Sequence, residues 1–421
     1  MASLTTIHDL LQRHFESGSC ASGYLRGRIP GFSALLSDFF ASRSDIERIQ
    51  KAEYLSERIL SLTDFADMIP LRSEVATLEI KRLIAYKKQT DHTAHTLYLF
   101  LLGVWVYDNV SDIRTAIDKT IDSSKPIKLF LFQWTFASLL HDVGYLFYDF
   151  DSGTNAGSWK MFDEMLSFEF ISNHADELSD GGKSELKQAW NNLISTYDLK
   201  EHASNRSASE LIESLDNIPW LNDLLPGHQT GLGAMESGEV IGPGLHRFAY
   251  DMAKSGYDGS TPVVDHGIAS GLMLLKYTSI WYWLSQHSET RYPQLNSELN
   301  ANFHYYPNIF IKHVLPACKA AAYHNFPNVK YSLEQDPLLY LAVLCDELQI
   351  WDRFLSGQGH IDNWKNVDHC VAEKMNAEMI MDEMNQPKLH ILTSETHFEK
   401  LVVSLDKRVN NWNRYIQITR F

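Results

Sequence analysis

A mainly α protein is predicted for this chain by three observations. Apolar residues recur at helical rather than alternating spacing through most of its length. Pro, Gly, Ser and Asp clusters cut that pattern into runs of helical length. A single short stretch, Lys388 to Thr393, reads as a strand. No solenoid-period repeat and no low-complexity tract interrupts the reading.

Residues 1–74 read as an N-terminal helical extension. Its apolar periodicity lies in Leu10-Leu11, in Phe32, Leu35 and Leu36, and in Tyr54, Leu55, Ile59, Leu60 and Leu62, divided by the Arg28-Ile29-Pro30-Gly31 turn. It is read as packing on the main domain, with a dimerisation surface (hence a homo-oligomer) or a lid as functional alternatives. Residues 75–150 supply two long helices, broken at Asp122-Ser123-Ser124-Lys125 and resumed at Pro126. Residues 151–260 change character, from the loop Asp151 to Ser158 through amphipathic segments to a Gly-rich stretch around Gly227-His228 and Gly242-Pro243-Gly244-Leu245-His246-Arg247. This is read as an insertion; it lacks the Lys-Ser/Thr ending of a phosphate loop. Three apolar helices follow at about 265–286, 308–324 and 336–355. Residues 356–421 form a C-terminal extension, with a strand at 388–393 and a helix running to Trp412.

Hydrophobic residues make up 44% of the 421, enough for a sizeable core, and the net charge of −16 argues against general affinity for nucleic acid or an anionic membrane. The four cysteines show no paired spacing, and Cys318 and Cys345 lie in apolar helices as core residues. The first residues lack a basic start with an apolar core, and the apolar runs fall short of the ~18 residues of a membrane span. A cytoplasmic protein without membrane partners is expected.

The chemistry is carried by polar residues that interrupt those apolar helices. His141-Asp142 ends the run Leu139-Leu140 and precedes Val143-Gly144-Tyr145; read alone, it is a helix-terminal His beside a C-cap Gly. Upstream, Asp91-His92-Thr93-Ala94-His95 opens a helix on which Asp91, His92 and His95 share a face. Downstream stand Asp265-His266, His324-Asn325 and Asp346-Glu347. Buried ionisable groups are expensive unless paired or metal-bound, so their recurrence on separate apolar helices suggests a shared polar centre. Imidazole nitrogen and carboxylate oxygen suit a borderline divalent cation. Some 46 residues separate His95 from His141 and 124 separate Asp142 from His266, so such a centre must assemble through tertiary packing.

This ordered set resembles the HD-domain superfamily of metal-dependent phosphohydrolases over roughly residues 75–355, which makes an HD-type helical bundle the expected domain. The resemblance implies that His95, His141, Asp142 and Asp346 bind a first metal. By the same resemblance His266 and His324 bind a second, with Asp142 able to bridge the two ions. His174, His202, His228 and His246 compete with His266, which is preferred because Pro262 and Asp265 mark a helix start beside it. The family often carries Lys where this chain has Tyr145, which leaves phosphate orientation unassigned. The implied reaction is hydrolysis of a nucleotide or other small phosphate ester by metal-activated water. Two divalent ions are expected, from among Mn, Fe, Co, Ni, Zn and Mg. Asp142 and Asp91 are the candidate catalytic carboxylates, and His92, His228, His246, Arg247 and Arg353 the candidate substrate contacts. Glu347, Gln349, Trp351 and Arg353 surround the distal Asp and could orient ligands or form an ordinary helix-end interaction. HD-like diiron oxygenases carry the same ligand types and give the alternative enzyme class. A nucleotide-sensing protein that retains metal sites is the non-catalytic alternative.

Overall fold

A computed structural model describes residues 5–63, 65–86, 92–121, 123–147, 178–197, 207–236, 244–257, 259, 261–302, 309–327, 329–351, 375–383 and 386–420. The protein is mainly helical, with one three-stranded sheet among the described residues. No described helix is long and apolar enough to cross a membrane. The chain forms two compact units, one of Met1–Leu140 with Pro327–Phe421 and the other of His141–Phe326.

The first unit is built on the helix His92–Asn109, whose residues from Thr93 to Tyr107 are all buried. A helix apolar around its whole circumference belongs at the centre of a core. Pro126–Leu139 crosses it where Gly103 meets Trp134; a Cβ at residue 103 would fall 2.0 Å from the indole ring. The Trp134 indole N–H donates to the Phe100 carbonyl at 2.9 Å, so this large buried side chain also satisfies its polar atom. The N-terminal helices Ile7–Ser17, Phe32–Phe40 and Asp45–Leu62 follow the predicted apolar positions. They bury Leu11, Phe15, Phe32, Leu36, Leu55 and Ile59, while Tyr54 points outward. Each fully buried side chain of this kind contributes about 1.5–3 kcal/mol.

Pro337–Leu348 begins with Asp336 as N-cap, its carboxylate accepting from Leu339 N, and Pro337 occupies the first helical position. The predicted strand is present as β2 (Pro387–Thr393), flanked by β1 (Asn376–Met381) antiparallel and β3 (Ile416–Arg420) parallel. A parallel pair needs a crossover, here the helix Glu395–Arg408, which ends short of Trp412. Leu389, Ile391 and Thr393 alternate inward along β2.

The second unit is organised by His266–Arg291, buried along its first five turns. Leu315–Tyr323 packs against it, entered through the π-helical turn Phe310–Val314; Pro316 lacks the N–H that a regular α-helical entry would use there. Two helices, Gly231–Glu236 and Leu245–Ser255, lie in the Gly-rich stretch. Ala208–Asp216 opens on a capping box, Ser207 with Glu210, and Lys276 buries its ammonium against the Ser214 carbonyl at 2.7 Å.

Candidate metal centre

Within the first unit, His95 lies one turn inside the helix His92–Asn109. Glu79 fixes that helix start, accepting from the backbone amides of His92 and Thr93 (the latter at 3.1 Å). Arg72, fully buried, donates to the Thr93 carbonyl, the Thr96 hydroxyl and the Leu139 carbonyl at 2.6–2.7 Å. One guanidinium thus ties the His95 helix to the end of the helix that leads into His141, satisfying a helix-terminal carbonyl on the way. His95 Nε2 sits 2.9 Å from Asp346 Oδ1, and its Nδ1 sits 2.5 Å from Gln349 Oε1.

Within the second unit, Asp142 stands among three histidines. His141 and Asp142 turn the chain immediately after Leu140, which caps the helix Pro126–Leu139. The following turn, Val143–Phe147, is pinned to the His266 helix: Gly144 N donates to Ser270 Oγ at 2.7 Å, and Ser270 Oγ donates to the His266 carbonyl at 2.8 Å. A Cβ on Gly144 would fall 2.0 Å from that same carbonyl. The glycine is therefore required for close approach; the residue capping the helix is Leu140.

His266 opens its helix behind the N-cap Asp265, whose Oδ1 accepts from Ile268 N at 3.0 Å. Asp265 Oδ2 accepts from Tyr257 OH and from Asn325 Nδ2. One carboxylate thus holds the residue before His266 to the residue after His324. His324 caps Leu315–Tyr323, and its ring packs against Gly267, where a Cβ would fall 2.9 Å from Cε1. Tyr145 stacks on the His266 ring at 4.0 Å.

Asp142 Oδ1 lies 3.3 Å from His141 Nε2 and 3.6 Å from both His266 Nε2 and His324 Nε2. These separations exceed the 2.7–3.2 Å of an N–H···O hydrogen bond. Two ligands bonded to one zinc-sized ion at about 2.0–2.1 Å and tetrahedral angles lie about 3.3 Å apart. His324 Nδ1 is 2.6 Å from the Ala321 carbonyl, which can only accept, so Nδ1 carries the proton and Nε2 of the neutral ring presents a lone pair to Asp142. His266 Nε2 is 3.2 Å from His324 Nε2. A hydrogen bond between these two rings would satisfy that one contact and leave the carboxylate facing nitrogens at longer range. A cation among these groups would balance a buried carboxylate that faces several imidazole nitrogens. The donor set fits: the ligand atoms of His141, Asp142 and His324 lie within 4.8 Å of one another, all three residues are buried, and the group can hold a metal ion.

Against known proteins, no family model, no curated protein and no solved structure matches the chain.

The remaining predicted positions are not among the residues grouped as possible metal ligands, or lie outside the described residues. Asp91, Arg353, His174 and His202 lie outside the described residues. His92 is half-buried at its helix start. His228 Nδ1 faces the Gly233 carbonyl at 3.1 Å, and exposed His246 stacks on Tyr250 beside Asp216. Arg247 is exposed and lies 3.6 Å from Asp251, a helical neighbour. Sequence reasoning missed Arg72, Glu79, Ser270 and Asn325 as residues that hold the ligands. Asn325 alone carried a signal, following His324 directly.

Proposed function

We propose that this protein is a metal-dependent phosphohydrolase of the HD type, acting on a nucleotide or another small phosphate ester. The observation that carries the reading is the convergence of three imidazole nitrogens on Asp142 Oδ1 at 3.3–3.6 Å, in the order along the chain that the HD resemblance demands. By that resemblance, His95 and Asp346 are ligands of a first ion, while His266 and His324 hold a second.

A divalent ion bound there supplies a Lewis acid for phosphoryl oxygen and lowers the pKa of water toward neutrality. The residues have defined tasks. Asp142 offers the carboxylate oxygen common to three imidazoles. The Ala321 carbonyl keeps the His324 proton on Nδ1, so that Nε2 remains a ligand. Asp265 and Asn325 set the spacing of the two later histidines. The set needs no Ser or Cys nucleophile: Cys318 and Cys345 are fully buried, Cys20 is half-buried, and burial pushes all three thiols upward.

The test couples elemental analysis of the purified protein to phosphate release across nucleoside mono-, di- and triphosphates and cyclic nucleotides, with and without oxygen. Oxygen-independent phosphate release with about two bound ions is expected. Turnover that requires iron and oxygen would replace the assignment with an oxygenase. Nucleotide binding without turnover, whatever divalent metal is supplied, would replace it with a sensor.

A further inference from the structure

We propose that Gln349 is a positioning residue that fixes His95 in its Nδ1–H tautomer and so aims a bare Nε2 at Asp346. The argument rests on hydrogen-bond polarity. Gln349 is buried, and its Nε2 lies 2.5 Å from the Trp351 carbonyl. A carbonyl oxygen only accepts, so the atom facing it must be the amide nitrogen, and the orientation of the side chain is set. The opposite atom, Oε1, faces His95 Nδ1 at 2.5 Å, and an amide oxygen also only accepts. The proton of a neutral His95 ring is therefore on Nδ1. Its Nε2, 2.9 Å from Asp346 Oδ1, then presents a lone pair to a carboxylate. Two such acceptors are held together by a positive charge, either a second ring proton on Nε2 or a bound metal ion.

Three buried groups thus form a directed chain, from the Trp351 carbonyl through the Gln349 amide to His95. The chain does for His95 what the Ala321 carbonyl does for His324. A hydrogen bond at Nδ1 also makes Nε2 a stronger donor to metal, and loss of such an outer partner typically weakens metal binding about 10–100-fold. The significance for metal rests on the proposed function, whereas the tautomer assignment stands without it.

The test uses the full chain with 15N-labelled histidine. In metal-free protein, at a pH high enough to neutralise the ring, long-range 1H–15N correlation should place the His95 proton on Nδ1. Gln349→Met should abolish that preference and weaken binding of Zn or Mn about 10–100-fold. A wild-type ring carrying its proton on Nε2 would overturn the proposal even if the Met variant does not fold. So would a folded Met variant with unchanged tautomer and metal affinity. If the protein bound no metal yet His95 showed the Gln349-dependent tautomer, the metal reading alone would fail.

Discussion

Asp108 and Asp142 are both buried carboxylates beside a histidine, and they are built oppositely. Asp108 faces donors. Its Oδ1 accepts from Ala21 N at 2.8 Å, and its Oδ2 from Ser22 N, Ser22 Oγ and His14 Nε2 at 2.6–3.1 Å. Cys20, the N-cap of Ala21–Arg28, provides no side-chain cap, so Asp108 caps that helix from a distant position in the sequence. Asp142 faces ring nitrogens at 3.3–3.6 Å, and the Nε2 of His324 offers it no hydrogen. Charge and burial are alike at the two sites; the polarity of the neighbours differs. A His–Asp pair whose oxygens all receive protons is a strut, whereas a carboxylate that meets imidazole nitrogens beyond hydrogen-bond length is part of a group that could hold a metal ion.

The comparison can be broken most decisively by neutralising each acid in turn. Asp142→Asn and His141→Ala should abolish metal binding and reduce turnover by more than the about 10–100-fold that loss of an outer partner costs. Metal-free Asp142→Asn should melt no lower than wild type, because its amide can donate to an imidazole lone pair. Asp108→Ala should behave in reverse, with metal content and turnover per folded molecule unchanged. It should lose about 3–5 kcal/mol in urea unfolding, since it strands two helix-terminal amides and a serine hydroxyl. A metal-free Asp142→Asn protein destabilised as much as Asp108→Ala would remove the distinction.

Next in size come the later histidines. His266→Ala and His324→Ala should each reduce bound metal from two ions towards one, and unchanged stoichiometry by elemental analysis would confine the site to a single ion. Gly267→Ala should have a smaller effect, because its methyl would meet the His324 ring at 2.9–3.0 Å. We expect about 1–3 kcal/mol of overpacking and roughly tenfold weaker metal binding. Wild-type affinity in that variant would show that the ring has room to move.

The contrast also shows where the sequence was legible. His95, His141-Asp142, His266, His324 and Asp346 stood out because each interrupts an apolar helix, and in the second unit the structure gathers His141, His266 and His324 around one carboxylate oxygen of Asp142. Asp265 was readable as a helix start, and the helices about Leu10–Leu11 and Phe32–Leu36 followed from spacing alone. The strand at 388–393 alternates and was visible. β1 does not alternate, with Met379 and Met381 both exposed, and it left no period-2 trace. Arg72 could not be read at all. Its role depends on meeting Leu139 across 67 residues, and nothing local distinguishes it from a surface arginine. Gly144 was misleading in a different way, since a glycine just past a helix suggests a cap, and only the neighbouring His266 carbonyl reveals the close approach.

The smallest predicted effect is a pH dependence, and its sign separates the two carboxylates once more. Burial alone would raise the Asp108 pKa, but donors from His14, Ser22 and Ala21 outweigh it and hold the carboxyl below its ordinary value. A carboxyl depressed on folding contributes stability that is fully present above its unfolded pKa and lost as pH falls through the folded one. Wild type should therefore lose stability progressively below about pH 4. Asp108→Asn, weaker at neutral pH, should show a shallower acid slope over the same range. Urea midpoints taken from pH 6 downward measure this directly. Parallel slopes for the two proteins would mean that Asp108 is not the acid-sensitive strut, and that its four short contacts do no more than fill space.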